Sequence, residues 1–195
     1  MSIVVEEQAS ERKVARLRAE EAVLVVIDMQ DGFRPIIPEF DETAERIGRL
    51  MEAARLMEIP TIVTEQYPKG LRHTVASLQA HVAHSVAVVP KTSFSCWGAD
   101  EFRSRLCDTR KRQAVVCGVE AHICVMQTTL DLLEQGYEVF VVADGCASRF
   151  ALNKQVGLER MARAGATICT FEMTLFEWMG GSTCPQFKAV QNLVR

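Results

Sequence analysis

The sequence predicts an α/β domain built on a six-stranded parallel sheet with helices on both faces, a Rossmann-like three-layer sandwich. Three observations carry this expectation. Short apolar runs alternate with stretches of helical periodicity, as buried parallel strands do with their crossover helices. The runs end at glycine, proline or a polar residue, as strand exits do. The length of 195 residues suits a single domain, with a core over about 22–170 and residues 1–20 and 171–195 as appendages.

Residues 22–29 form a continuous apolar run that stops at Asp28, Gln30 and Asp31, which reads as a strand buried on both faces. Residues 41–57 follow at helical spacing, with Ile47, Leu50, Ala54 and Met57 on one face. Pro60 closes the connection, and residues 61–64 are the second strand. Residues 65–70 read as a loop, and residues 85–89 as a third strand closed by Pro90. A short helix over 100–107 leads to a fourth strand at 113–117, which Gly118 should end. Residues 121–135 are helical, with Gly136 as the stop. A strand at 137–142, a helix at 152–164 and a short strand at 166–170 complete the pattern.

Composition excludes several functions. The 22 basic and 25 acidic residues leave a net charge of -3, which gives no bias toward nucleic acid or an anionic membrane. The basic run Arg110, Lys111, Arg112 precedes a predicted strand and reads as a solvated turn. The longest apolar run is far too short to cross a bilayer. Glu6, Glu7, Glu11 and Glu20 argue against a secretion signal or a mitochondrial presequence. The seven cysteines are odd in number and irregular in spacing, without a CxxC pair, which fits a reducing compartment. The cytoplasm is the expected location.

In open α/β sheets, ligands bind beyond the carboxyl ends of the strands, where strand order reverses. The polar residues at those ends are Asp28, Glu65 and Gln66, Lys91, the stretch from Gly118 to Cys124, and Asp144. An acid, a lysine and a cysteine therefore converge on one edge. Cys124 lies about one turn into a helix, where the dipole and free N–H groups favour a thiolate and could hold an oxyanion. It is expected to be the most reactive of the thiols. Asp28, after an apolar run, has a desolvated carboxylate suited to accept a thiol proton. Lys91 would stabilise both anions. For each of the three, a bland reading stands beside this one: a core thiol, a turn cap, a solvated lysine. His122 lies two residues from Cys124, and residues two apart on a helix do not face each other, so it is a poor base for that thiol. His73, His81 and His84 read as solvated or partly packed.

The motifs themselves add a resemblance. Leu24-Val25-Val26-Ile27-Asp28-Met29-Gln30-Asp31-Gly32-Phe33, Lys91-Thr92-Ser93-Phe94-Ser95 and Val116-Cys117-Gly118-Val119-Glu120-Ala121-His122-Ile123-Cys124-Val125 resemble, in that order, the acid, lysine and nucleophile motifs of the isochorismatase-like cysteine hydrolase family. Glu65-Gln66-Tyr67-Pro68-Lys69-Gly70 is similar to its eukaryotic isochorismatase-domain-containing branch. The resemblance implies a triad of Asp28, Lys91 and Cys124, and a cis peptide between Val119 and Glu120. It also implies an oxyanion hole made by the Glu120 and Cys124 N–H groups. The implied reaction is hydrolysis of a small amide or ureide C–N bond through a thioester, in a chain that assembles as a homo-oligomer.

Two departures narrow the reading. The nicotinamidase branch holds a metal with an Asp and two His after the second strand. Here that stretch offers only Glu65 and, more remotely, His73, so no metal or other cofactor is expected. True isochorismatases lack the nucleophilic cysteine. Phe33, Tyr67 and Trp97 are candidates for a compact pocket around a small-molecule substrate, and Trp178 is read as core. Two alternatives stay open: a partner-binding scaffold with weak or vestigial activity, and a redox sensor at Cys124. For the second, no resolving cysteine is obvious in sequence, with Cys96, Cys107 and Cys146 all open.

Overall fold

The computed structural model of the chain describes residues 15–82 and 86–194; the acidic residues Glu6, Glu7 and Glu11, together with His84 and Ser85, lie outside the described residues. Six strands form one parallel sheet: β1 (Ala22–Ile27), β2 (Thr61–Gln66), β3 (Ala87–Lys91), β4 (Gln113–Val119), β5 (Glu138–Ala147) and β6 (Thr167–Cys169). Their order is β3-β2-β1-β4-β5-β6. The chain winds outward from β1 to β3, then returns to pair β4 on the other side of β1. The order therefore reverses between β1 and β4, and a crevice opens at their carboxyl ends.

Strict alternation along β1 divides the core. Ala22, Leu24 and Val26 face one cluster, which takes in Phe40, Ile47, Leu50 and Ala54 of α1 (Phe40–Leu56). Val23, Val25 and Ile27 face the other, with Phe102 and Leu106 of α4 (Asp100–Asp108), Leu132 of α5 (Met126–Glu134) and Met161 of α6 (Ala151–Arg163). A six-residue strand with every side chain buried is thus sandwiched from both sides, as its unbroken apolar run predicts. Two short helices, α2 (Pro68–Leu71) and α3 (Ala76–Val82), join β2 to β3. No helix among the described residues is long and apolar enough to cross a membrane.

Several boundaries differ from the sequence reading, each for a physical reason. Pro90 does not close β3 but lies within it, in register with Glu65. An edge strand tolerates proline because one side of its backbone has no ladder to serve. Gly118 does not end β4. Its φ is +123°, a Cβ there would sit 2.1 Å from the Ile27 carbonyl oxygen, and the register against β5 shifts around it. It is a bulge that lets β1 and β4 pass close together. Beyond that bulge Cys146 and Ala147 pair with Gly118 and Val119, so β5 runs five residues past the expected Val142. Asp144, expected at a strand exit, lies inside β5, where its carboxylate accepts the Phe171 N–H at 2.7 Å and pairs with Arg46 at 3.5 Å. The C-terminal segment, read as an appendage, forms α7 (Phe171–Met179) and α8 (Phe187–Gln191) and contributes Leu175, Trp178 and Val190 to the first cluster.

Candidate active site

The crevice at the β1–β4 reversal is where Asp28, Lys91 and Cys124 meet. Asp28 follows β1 directly. Its φ of +55° puts it in the left-handed region, which costs a non-glycine residue roughly 1–2 kcal/mol. Its backbone is held on both sides: the N–H donates to Thr64 O at 3.1 Å, and the carbonyl accepts the Gln30 N–H at 2.8 Å. Past this turn, the Gln30 side chain replaces the missing backbone of β1. Its Oε1 accepts the Gln66 N–H at 2.7 Å, and its Nε2 donates to Gln66 O at 3.0 Å and Arg72 O at 2.7 Å.

Lys91 is the last residue of β3 and pairs in register with Gln66. Its side chain is wholly buried, and its ammonium donates to Asp28 Oδ2 at 2.7 Å and to Gln66 Oε1 at 2.7 Å. The carbonyls of Ser93 and Phe94 lie at 3.2 and 3.0 Å. Four acceptors for three N–H bonds leave the charge fully solvated by protein. The second carboxylate oxygen, Asp28 Oδ1, accepts from Thr64 Oγ1 at 2.7 Å.

Cys124 lies in a π-helical turn (Ala121–Val125) that leads into α5. Such turns recur at functional sites because they re-aim one side chain. The residue is 4% exposed, and its thiol lies close enough to the Asp28 carboxylate and to Lys91 to feel both charges. The helix terminus and Lys91 favour a thiolate, but burial outweighs them. Burial, reinforced by the Asp28 charge, holds the Cys124 pKa well above the ordinary thiol value despite Lys91. Burial likewise raises Asp28, against the Lys91 charge and its hydrogen bonds. For Lys91, burial opposes the charge, but Asp28 and the neighbouring Cys96 and Cys124 carry its pKa upward. The resting state is an ion pair with a neutral thiol against it.

The peptide bond between Val119 and Glu120 is cis. The buried Glu120 carboxylate accepts the Arg149 N–H at 2.9 Å and the Arg149 Nε at 3.1 and 3.2 Å. His122 turns to the start of α6 and the residues just before it, with Nδ1 3.1 Å from Ser148 Oγ and Nε2 3.3 Å from Asn153 Nδ2. That is away from the thiol, as the two-residue spacing predicts. Glu65 serves the neighbouring loop, its carboxylate accepting the Thr74 N–H and hydroxyl at 2.7 and 2.9 Å and lying 3.0 Å from His73 Nδ1. Among the described residues no group of three or more His, Cys, Asp or Glu is arranged to hold a metal.

Of the expected pocket aromatics, Tyr67 is half exposed, beside a cavity of about 550 Å³ that Lys91, Ser93 and Gly98 also border. Phe33 is partly buried against the first core cluster. Trp97 sets its ring edge-on to Tyr137, 6.5 Å between centroids. Trp97 is also partly buried against the second core cluster, next to Gly98 at the rim of that cavity. Sequence reasoning passed over Thr64 and left Cys96 open, with Cys107 and Cys146, as a cysteine that could resolve Cys124. The available signal for Thr64 was register, since it pairs with Ile27, the residue before Asp28.

Comparison with known proteins bears on the family and the fold. The model of the isochorismatase domain matches residues 22–173. Human isochorismatase domain-containing protein 2 is 38% identical over 189 residues, covering 96% of this chain and 89% of that protein. The solved structure of the MAR1 ribonuclease of Caenorhabditis elegans superposes with a TM-score of 0.88 at 41% identity, over 92% of each chain. YcaC of Pseudomonas aeruginosa, solved with hexane-2,5-diol and covalent acrylamide, superposes with a TM-score of 0.86 at 25% identity, over 93% of this chain and 92% of its own. The motifs, the strand order and these matches agree, and the chain belongs to the isochorismatase domain family.

Proposed function

We propose that the protein is a hydrolase that uses Cys124 to cleave the C–N bond of a small amide or ureide through a thioester. One observation carries this reading: a thiol set against a buried carboxylate that is itself paired with a buried lysine. A raised carboxylate pKa narrows the gap to the thiol, so Asp28 can take the Cys124 proton as the sulfur approaches a carbonyl carbon. Lys91 then faces a thiolate and a neutral acid, and its charge stabilises the sulfur anion in place of the carboxylate. The Glu120 and Cys124 N–H groups would receive the carbonyl oxygen as it gains negative charge. Asp28 returns its proton to the leaving nitrogen, the C–N bond breaks, and an acyl-thioester remains. Asp28 next removes a proton from water, which attacks the thioester, releases the acid and restores the thiol. The reaction draws on no cofactor.

The covalent acrylamide in YcaC supports the reading, because that ligand is both an amide and an electrophile for thiols. We place the protein in the cytoplasm as a single-domain homo-oligomer. Exposed Phe150, Leu152 and Val156 support self-association, since 152 and 156 share a face of α6. The ribonuclease name belongs to the structural neighbour. A net charge of -3 gives no general attraction to a polyanion, so a small neutral substrate is favoured here.

The deciding experiment is a screen of small amides and ureides, with RNA as a separate arm, against wild type and Cys124→Ala. Amide turnover abolished by Cys124→Ala is expected. RNA cleavage lost in the same variant, with every amide inert, would overturn the reading.

A further inference from the structure

Cys96 is a second thiol at the site, and the hydrolysis proposed above gives it no task. It is fully buried and opens a 3-10 turn (Cys96–Gly98). Its backbone N–H donates to Thr128 Oγ1 at 2.9 Å, and Thr128 lies four residues beyond Cys124 on the same helical face. Its Sγ donates to Thr64 Oγ1 at 3.7 Å, and that hydroxyl donates to Asp28 Oδ1 at 2.7 Å. The two thiols therefore flank one carboxylate, Cys124 directly and Cys96 through Thr64. They are near enough that charge on Cys96 would disfavour charge on Cys124. Burial pushes the Cys96 thiol up to about 12, so it rests protonated, with its proton directed along Thr64 to Asp28. The buried Cys117 and Cys169 instead donate to the Val25 and Val141 carbonyls, at 3.8 and 3.5 Å, and those contacts lead to no base.

We propose that Cys96 is the resolving thiol of Cys124, so that a hydroperoxide converts the site into a reversible Cys96–Cys124 disulfide rather than destroying it. The inference rests on the nucleophilic character proposed for Cys124 and not on any amide substrate. In the first step Cys124 gives its proton to Asp28 and its sulfur attacks one oxygen of hydrogen peroxide. The O–O bond breaks, two electrons pass from sulfur to oxygen, and the departing hydroxide takes the proton from Asp28 as water. Cys124 is left as a sulfenic acid. Cys96 then attacks that sulfur. Its proton moves to Thr64 as Thr64 passes its own to Asp28; the S–O bond breaks, and the hydroxide leaves with the Asp28 proton as a second water. Two thiols and one peroxide become one disulfide and two waters, and a dithiol reductant reverses the oxidation.

The test uses the whole reduced chain, graded hydrogen peroxide, alkylation after denaturation, and peptide mapping without reduction. The expected product is an intramolecular Cys96–Cys124 cross-link that dithiothreitol returns to two thiols. In Cys96→Ala, dithiothreitol-recoverable Cys124 should be lost, replaced by sulfinic and sulfonic acid. The inference is overturned if wild-type Cys124 goes to sulfinic acid while Cys96 is recovered alkylated. It is equally overturned if Cys124 pairs with another cysteine, or stays alkylatable at doses that oxidise the exposed Cys107. Should Cys96→Ala fail to fold, the wild-type map decides alone. The readout needs no turnover, so a cross-link in a chain that hydrolyses no amide would defeat the hydrolase reading and leave this one standing.

Discussion

Replacing Lys91 with methionine removes the charge that faces Asp28 while keeping most of the side-chain volume. The structure sets the size of the effect. The ammonium is wholly buried, 2.7 Å from Asp28 Oδ2 and 2.7 Å from Gln66 Oε1. Without it the carboxylate keeps the Thr64 hydroxyl and the Cys124 thiol, and Gln66 Oε1 loses its donor. Breaking a buried pair from one side costs about 3–5 kcal/mol. For a domain of this length that corresponds to roughly 6–20 °C in Tm. The pH dependence follows from the direction of the Asp28 shift. Its folded pKa already lies above the unfolded value because of burial, and loss of the opposing Lys91 charge raises it further. A carboxyl with a raised folded pKa binds its proton more tightly in the native state, so stability falls as pH rises from the unfolded to the folded value. The variant should therefore lose less near pH 5 than near pH 8, because lower pH favours the protonated, uncharged Asp28. Urea unfolding at both pH values measures this, and adding Asp28→Asn should recover most of the loss at pH 8. A deficit below about 1 kcal/mol, or one identical at the two pH values, would refute the idea that this pair is a desolvated ion pair.

Three further outcomes are expected. Thr64→Val removes a charge-assisted hydrogen bond of about 1.5–3 kcal/mol from Asp28, which is about 1–2 pKa units. The acid limb of Cys124 alkylation against pH should move up by that amount, and an unmoved limb would mean that Thr64 does not set the carboxylate. Gly118→Ala forces a Cβ to within 2.1 Å of Ile27 O at φ +123°. Strain and overpacking together should cost at least about 3 kcal/mol, and an unaltered unfolding midpoint would contradict the close β1–β4 approach. Bulky maleimides should label exposed Cys107 before Cys124, against the order that helix position alone suggests. Fast, preferential labelling of Cys124 would show that its cover opens readily.

What could be read from the residues depended on how local the signal was. β1 and the first half of β4 announce themselves as unbroken apolar runs, and Asp28, Lys91 and Cys124 stood out as candidates because each terminates or follows such a run. The second half of β5 was missed because Asp144 and Gly145 look like an exit, and only pairing beyond the Gly118 bulge keeps them in the sheet. The helix terminus at Cys124 was visible in sequence, whereas the depth of its burial, which raises its pKa, was not. Thr64 stands 36 residues from Asp28 and Cys96 stands 32 from Thr64. Both join the site through strand register and helix packing, which no local pattern encodes.

Gln30 sets an exacting chemical condition on the turn at Asp28. Its amide offers an acceptor to the Gln66 N–H and a donor shared by the Gln66 and Arg72 carbonyls. Glutamate has the same shape but, once ionised, only acceptors. Deamidation at this one position would turn an oxygen toward two carbonyl oxygens in a buried crevice. The chain would keep its length and nearly its mass while losing the contact that ties the acid's turn to β2. Slow spontaneous ageing of a single amide would then register first as loosening around Asp28, well before any change in the overall fold.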